Sequence, residues 1–368
     1  MGGNPRLSGT MGPLGMLTRR QVLISVGASP WAAPRAASPA PVPVRLPHDF
    51  GAHPDTRTEW WYATGSLEAG GRTWGFQVTF FRSATGLAPG HPSRFAAQQL
   101  IVGHAAVTDL AAGRQHHDQR IARSGFGIAS AEVGRTAVHL RDWHLVREDD
   151  GRYRTRVDSP ARGFGFDLRF TPTQPPLLQG RDGWSQKGAD PRHATCYYSE
   201  PQLAVSGTLD QDGTRLPVQG LAWLDHEWGD ALLAPDVTGW DWIGMNLDDG
   251  GALTAFQLRR PDGRAAWAGG SFRAAGGPVR AFAADEVVFT PGRTWHSPAS
   301  QATYPVTWEV ATPIGRLAVA SRLDAQELDS RASTGTRYWE GLSDLLRDGR
   351  PIGRGYLEMT GYAGRLAL

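Results

Sequence analysis

Cysteine is almost absent. Cys196 stands alone among 368 residues, which excludes an intramolecular disulfide and a zinc site built from cysteines. Lysine is as rare: Lys187 is the sole lysine among 38 basic residues, and arginine fills every other basic position, as a GC-rich genome would produce. Neither sign of charge prevails. The 36 acidic residues leave a formal net charge of +2, too near zero to imply nucleic acid or an acidic membrane surface as a partner. Beyond the first 45 residues no apolar run approaches the roughly 18 residues that a transmembrane helix requires. There is no Gly-x-Ser-x-Gly elbow for a serine hydrolase and no glycine-rich phosphate loop. His226-Glu227 lacks the second histidine of a zincin helix. His116, His117, His139 and His144 sit among Arg114, Asp118 and Arg120, which reads as a solvated loop rather than a metal site. No metal and no cofactor is expected.

The N-terminal 45 residues do not read as fold. Thr18-Arg19-Arg20-Gln21-Val22-Leu23 is a twin-arginine pattern, followed by a short apolar run and then an Ala/Pro/Ser-rich stretch to Pro43. That layout predicts a twin-arginine export signal and linker over 1–45, and so a periplasmic or secreted protein.

From residue 46 the signals are those of strands and turns. Trp74, Phe76, Val78 and Phe80 alternate with Gly75, Gln77 and Thr79, a period of two with one apolar face. Gly70-Gly71 before them supplies the positive φ of a hairpin turn. Asp-Gly and Gly-Gly dipeptides recur along the rest of the chain, so the fold is predicted to be all-β. Helix is scarce; Gln326–Ser330 and Ser343–Arg347 are the only places expected to form a turn or two of it.

The chain also repeats itself. Trp60 and Tyr62 match Trp240 and Trp242, Leu67 to Gly71 matches Leu247 to Gly251, and Phe76-Gln77-Val78 matches Phe256-Gln257-Leu258, all at an offset of 180. Tyr197-Tyr198-Ser199-Glu200 and Tyr338-Trp339-Glu340 then open the closing segments of the two halves. Two related antiparallel β-barrels follow, over 46–230 and 231–368, since closure removes the exposed edges of an open sheet.

The seam between the halves is Trp223 to Trp242. It holds four of the fourteen tryptophans together with Asp225, His226, Glu227, Asp230, Asp236 and Asp241. Ligand sites favour such interfaces. On a strand, His226 shares a face with Leu224 and Trp228, while Asp225 and Glu227 point the other way beside Trp223. Trp60 and Tyr62 likewise share one face, with Glu59 and Trp61 on the other.

Glu59-Trp60-Trp61-Tyr62, Asp225-His226-Glu227-Trp228-Gly229, Gly239-Trp240-Asp241-Trp242, Trp295-His296-Ser297-Pro298, Tyr304-Pro305-Val306-Thr307-Trp308 and Gly355-Tyr356-Leu357-Glu358 resemble, in this order, the AttH-like proteins. These are related to the carotenoid 1,2-hydratases, or hydroxyneurosporene synthases. The resemblance implies two lipocalin-like (calycin) barrels over about 46–368. It also implies an activity: cofactor-independent addition of water to a carbon–carbon double bond of an apolar isoprenoid. Fold transfers along such a resemblance better than chemistry does.

Hydration needs an acid for one carbon, an environment that tolerates a carbocation, and a base for the attacking water. Tryptophan faces attract a cation by roughly 0.5 to 2 kcal/mol each. His226 is the candidate proton donor with Trp228 beside it, as the resemblance also implies. Asp225, Glu227 and Asp241 are the candidate carboxylates. Trp228, Trp240, Trp242, Trp60, Tyr62 and Tyr356 are the candidate substrate contacts, with Glu358 a weaker candidate beside Tyr356. A buried Asp-His-Glu run at a seam can equally be structural. The alternative function is an exported lipocalin-like binding protein for a lipid or other hydrophobe, without catalysis. Either way the expected partner is a hydrophobic small molecule, isoprenoid or lipid, a role that admits peripheral membrane contact.

Overall fold

The computed structural model describes residues 1, 42–87, 93, 95–230 and 233–364. The twin-arginine pattern and nearly all of the leader lie outside the described residues.

Antiparallel sheet dominates. One sheet of 13 strands runs from Thr58 to Gly229, and a second of 10 strands runs from Gly239 to Met359. In the first, the terminal strands curl round until Ala129–Ala131 and Ala137–Leu140 lie against Gln99–Asp109, which nearly closes a barrel. Each barrel has its own apolar interior. Trp61, Leu67, Phe76, Phe166, Tyr198 and Leu224 fill the first, and Ile243, Met245, Trp308, Leu317, Trp339 and Leu357 fill the second. Among the described residues the one α-helix is the single turn Arg331–Thr334. The two stretches expected to be helical are strand instead: Glu327–Asp329 forms a short strand, and Ser343–Arg347 ends the strand Arg337–Arg347. Their side chains alternate between buried and half-buried, and pairing to neighbouring strands overrides local propensity. The stretch around His116 and His117 is likewise a strand, Arg114–Arg123, not a loop.

The repeat is built into the topology. In each half an opening strand (Thr58–Ala69 or Gly239–Leu247) is flanked by its hairpin partner (Arg72–Ala84 or Ala252–Arg259) and by a closing strand (Thr214–Gly229 or Arg350–Met359). Beyond each closing strand lies a fourth (Ala194–Gln211 or Arg337–Arg347).

The gapless offset of 180 does not extend past the opening strands. Trp242 stands 180 positions after Tyr62, but their hairpin partners, Phe256 and Thr79, are 177 apart. The first hairpin turns on Gly70-Gly71, both at positive φ (58° and 74°), the type I′ pair that a two-residue loop demands. The second turns through the longer loop Leu247–Gly251, closed by Leu247 N–H donating to the Gly251 carbonyl at 2.9 Å. An odd shift exchanges the two faces of a strand. Phe76 therefore points into the first barrel and Phe256 points out of the second.

The outward faces of the two opening regions meet. Tyr62, Trp223, Trp242, Phe256 and Tyr356 form a third apolar cluster between the barrels. Buried hydrogen bonds fix the contact: Asn246 accepts from Gln202 N–H at 2.8 Å and donates to the Ala222 carbonyl at 3.0 Å, and Ser271 donates to Gln179 at 2.8 Å. Gly75 admits Tyr356, since a Cβ there would stand 2.7 Å from the tyrosine oxygen.

A candidate active site between the barrels

A cleft of about 70 Å³ opens at this seam. It is narrow and suits a slender or flat molecule. Its walls follow from strand register. In the first barrel Thr79, Tyr62, Asp225 and Ser199 stand opposite one another across four adjacent strands, and Phe81, Trp60, Glu227 and Tyr197 form the next row. In the second barrel Phe256, Trp242, Glu358 and Glu340 form the matching row, with Leu258 and Trp240 beside it. Two equivalent patches of sheet thus face each other. Asp225 occupies in the first the place that Glu358 occupies in the second.

The carboxyl groups differ in environment. Asp225 is buried and accepts from Trp223 Nε1 at 2.7 Å, Ser199 Oγ at 2.5 Å and Tyr197 Oη at 2.8 Å. Trp242 Nε1 in turn donates to that tyrosine oxygen at 3.1 Å, so the second barrel helps to hold the first barrel's acid. Burial outweighs these bonds and pushes Asp225 up to about 7. Glu358 is half-buried, yet desolvation pushes it up to about 8 against a hydrogen bond from Trp240, with repulsion from Asp225 and Glu227 adding to the rise. Glu340, directly across from Glu358, is raised well above the carboxylate range by burial and by that neighbour. Neither of its oxygens has a hydrogen-bond partner of regular geometry, and the same is true of the nearby Tyr62 hydroxyl. Glu340 and Glu358 hold protons at neutral pH while Asp225 titrates through it, so the apolar site can both give and take protons.

Glu227 also lines the cleft. It accepts from Thr195 Oγ1 at 2.5 Å and pairs with Lys187 Nζ at 2.9 Å. Sequence reading set Lys187 aside as a matter of composition. The structure buries it in the cleft wall, with Nζ 4.4 Å from the Phe256 ring centroid and 4.9 Å from that of Tyr197.

His226 lies on the other side of the sheet. As the period of two predicted, it shares the interior face with Leu224 and Trp228. Its ring stacks on Trp61 at 4.6 Å, and Nε2 meets Glu59 Oε1 at 2.9 Å. Trp228 stacks on His53 at 3.9 Å. His226 and Trp228 therefore do not reach the cleft, and burial lowers the His226 pKa despite Glu59, which favours the neutral ring. His53, Glu59 and His226 place potential metal-ligand atoms within 4.8 Å of one another. Arg82 Nε already pairs with Glu59 at 2.6 Å, and His53 Nδ1 bonds it at 2.7 Å. Burial alone would raise Glu59, but the bonds from His226 and His53 and the charge of Arg82 hold it well below the carboxylate range. The Glu59 carboxylate is thus already paired with a buried cation. A divalent ion beside Arg82 would add an uncompensated buried charge.

Asp241 is also absent from the cleft. It is fully buried within the second barrel, 2.8 Å from Arg259 Nε and 2.8 Å from Gln257 Nε2, and accepts from Tyr362 Oη at 3.0 Å. On a strand it must face away from Trp240 and Trp242, which do line the cleft. Trp60, Tyr62, Asp225 and Glu227 line it too. Tyr356 packs in the seam beneath it. His139 and His144 pair across two strands with ring centroids 5.7 Å apart, while His117 accepts from Asp329 N–H at 3.1 Å, so the four histidines do not gather at one point.

Two lipocalin-like barrels with a carboxyl-lined seam define the class. The chain belongs to the AttH-like family, whose profile matches residues 37–362. It is 48% identical to an AttH protein from Nitrosomonas europaea, whose crystal structure superposes with a TM-score of 0.82 over 89% of this chain and 100% of that one. Kievitone hydratase from Nectria haematococca is 17% identical and superposes with a TM-score of 0.66 over 89% of this chain and 94% of its own. CghA in complex with Sch210972 is 11% identical, with a TM-score of 0.53 over 90% and 97%. These last two share the fold. Among curated proteins, none matches the chain in sequence.

Proposed function

We propose that the protein is a cofactor-independent acid–base enzyme of the hydratase type, adding water to, or removing it from, a carbon–carbon double bond of an apolar isoprenoid-like substrate. The observation that carries this reading is the convergence of Asp225, Glu340 and Glu358 on one aromatic cleft. Protonated Glu358, supported by Glu340, is the acid. Asp225 is the base, held in place by Tyr197, Ser199 and Trp223. Trp60, Trp240 and Trp242 provide the apolar walls and π-faces for a cationic or polarised carbon. The proton given to carbon is replaced by the one taken from water, so no redox partner is required. Kievitone hydratase, a neighbour in fold, is a hydratase by name. The twin-arginine pattern at Thr18–Leu23 adds export in the folded state to this reading.

The test starts from the protein itself. The chain is purified gently, and apolar compounds are extracted and identified by mass spectrometry, with Glu358→Gln in parallel. The recovered compound is then incubated in H₂¹⁸O. A product labelled by the native protein and not by the variant supports the enzyme. The same unaltered compound from both identifies a binding protein instead.

A further inference from the structure

We propose that Lys187 binds a substrate oxygen, and that the substrate's reacting double bond is conjugated to a carbonyl group whose developing enolate oxygen the Lys187 ammonium holds. This inference rests on the acid–base reading of the cleft and narrows it to a substrate class.

Three observations carry it. First, the chain's sole lysine stands in the cleft wall with its side chain only 5% exposed. Arginine, used at every other basic position, presents a rigid planar fork, whereas an ammonium is a compact point charge with three rotatable donors. Second, the position is fixed. Lys187 follows the short strand Trp184–Gln186, and its backbone N–H donates to the His193 carbonyl at 2.7 Å. The ammonium then lies against the rings of Phe256 and Tyr197, with Glu227 its only ion-pair partner among the described residues. An N–H left over from that pair is available to an acceptor in the cleft. Third, four carboxyls, those of Asp225, Glu227, Glu340 and Glu358, already line the cleft. A ligand carboxylate would add a fifth acid beside them, whereas a neutral carbonyl oxygen would not. The raised carboxyl pKa values fit the same class, since a weak acid serves an enolate better than an unactivated alkene.

The chemistry balances with water alone. Asp225 takes a proton from water as its oxygen bonds to the β-carbon. The C=C electron pair moves toward the carbonyl, forming an enolate at Lys187. The enolate collapses to C=O as its α-carbon takes a proton from Glu358. One water is added, and the carboxyls exchange the proton between turnovers.

The test uses the full chain and two slender probes: cinnamylideneacetone, a dienone absorbing to the red of tryptophan, and 1-phenyl-1,3-pentadiene, a hydrocarbon of similar shape. Binding is read by tryptophan quenching, and polarisation by the dienone absorption band. The native protein binds both and shifts the dienone band to the red. Lys187→Met abolishes that shift, weakens the dienone about tenfold, and leaves hydrocarbon affinity unchanged. Lys187→Met combined with Glu227→Gln leaves no buried charge unpaired and gives the same pattern if the single variant fails to fold. An unshifted band, or a shift that survives either variant, overturns the inference while hydrocarbon binding leaves the cleft intact. Binding of neither probe overturns it together with the acid–base reading.

Discussion

Glu340 and Glu358 stand directly opposite one another on adjacent antiparallel strands, both carboxyls turned to the seam between the barrels. Like charges placed so are destabilising. The arrangement is tolerated because at least one proton stays on the pair, and that proton is the useful feature of the site.

A pH dependence of stability follows. An unfolded carboxyl titrates near 3.8 for Asp and 4.5 for Glu, while in the folded protein Asp225 titrates near 7 and Glu358 near 8. The folded state therefore keeps protons that the unfolded chain has already lost, and stability falls as pH rises between about 4 and 8. Melting followed across that range should show the fall, and Glu358→Gln should flatten it. Equal slopes in native and variant protein would remove the pair from the account.

His226→Gln is expected to act on the first barrel and not on the cleft. It removes the ring that bonds Glu59 and stacks on Trp61, at a cost of about 2 kcal/mol. The melting temperature should fall while affinity for an apolar probe in the cleft is kept. The reverse pattern would return His226 to the site.

Asp225→Asn keeps the shape and leaves Ser199 and Trp223 an oxygen to donate to, while the Tyr197 hydroxyl, which donates to the other oxygen, turns to accept from the amide NH₂. Turnover of the recovered compound should be lost, with binding kept, because a base has been removed and not a wall. Retained turnover would assign the base elsewhere in the cleft.

The seam itself can be probed at Gly75. A Cβ there would crowd Tyr356 Oη at 2.7 Å and Leu342 Cβ at 3.2 Å. Gly75→Ala should destabilise by about 1–3 kcal/mol, and adding Tyr356→Phe should recover part of the loss by removing the closest atom. A double mutant as unstable as the single would mean that the Leu342 and Thr108 side chains, not the hydroxyl, set the limit.

Much of this was legible in the sequence, and the reasons are local. Alternation by two separates Asp225 and Glu227 from His226, and Trp60 and Tyr62 from Glu59 and Trp61; the structure keeps both divisions. The repeat locates the seam. What a linear pattern does not contain is which face of a strand meets which element. His226 and Asp241 lie close in sequence to cleft residues, yet both turn inward to Glu59 and Arg259. Glu358 is a candidate from the sequence, but Glu340 and its pairing with Glu358 become visible only when cross-strand register sets the two opposite one another. Strand register pairs Ser199 with Glu340 across the repeat, since they stand opposite Asp225 and Glu358; the sequence match of the two segments fixes no such register. The three-residue change between the hairpins hid the rest, since it moved Phe256 to the cleft while Phe76 stayed inside. Lys187 gave a signal only by being the sole lysine in the chain.

The most direct measurement is infrared difference spectroscopy of the cleft carboxyls. At pH 7 the native protein should show a protonated-carboxyl C=O stretch that disappears as pH rises through about 8, and Glu358→Gln should lack that titration. A native spectrum with every carboxyl already ionised at pH 6 would contradict the account, because the cleft would then hold no acid to give.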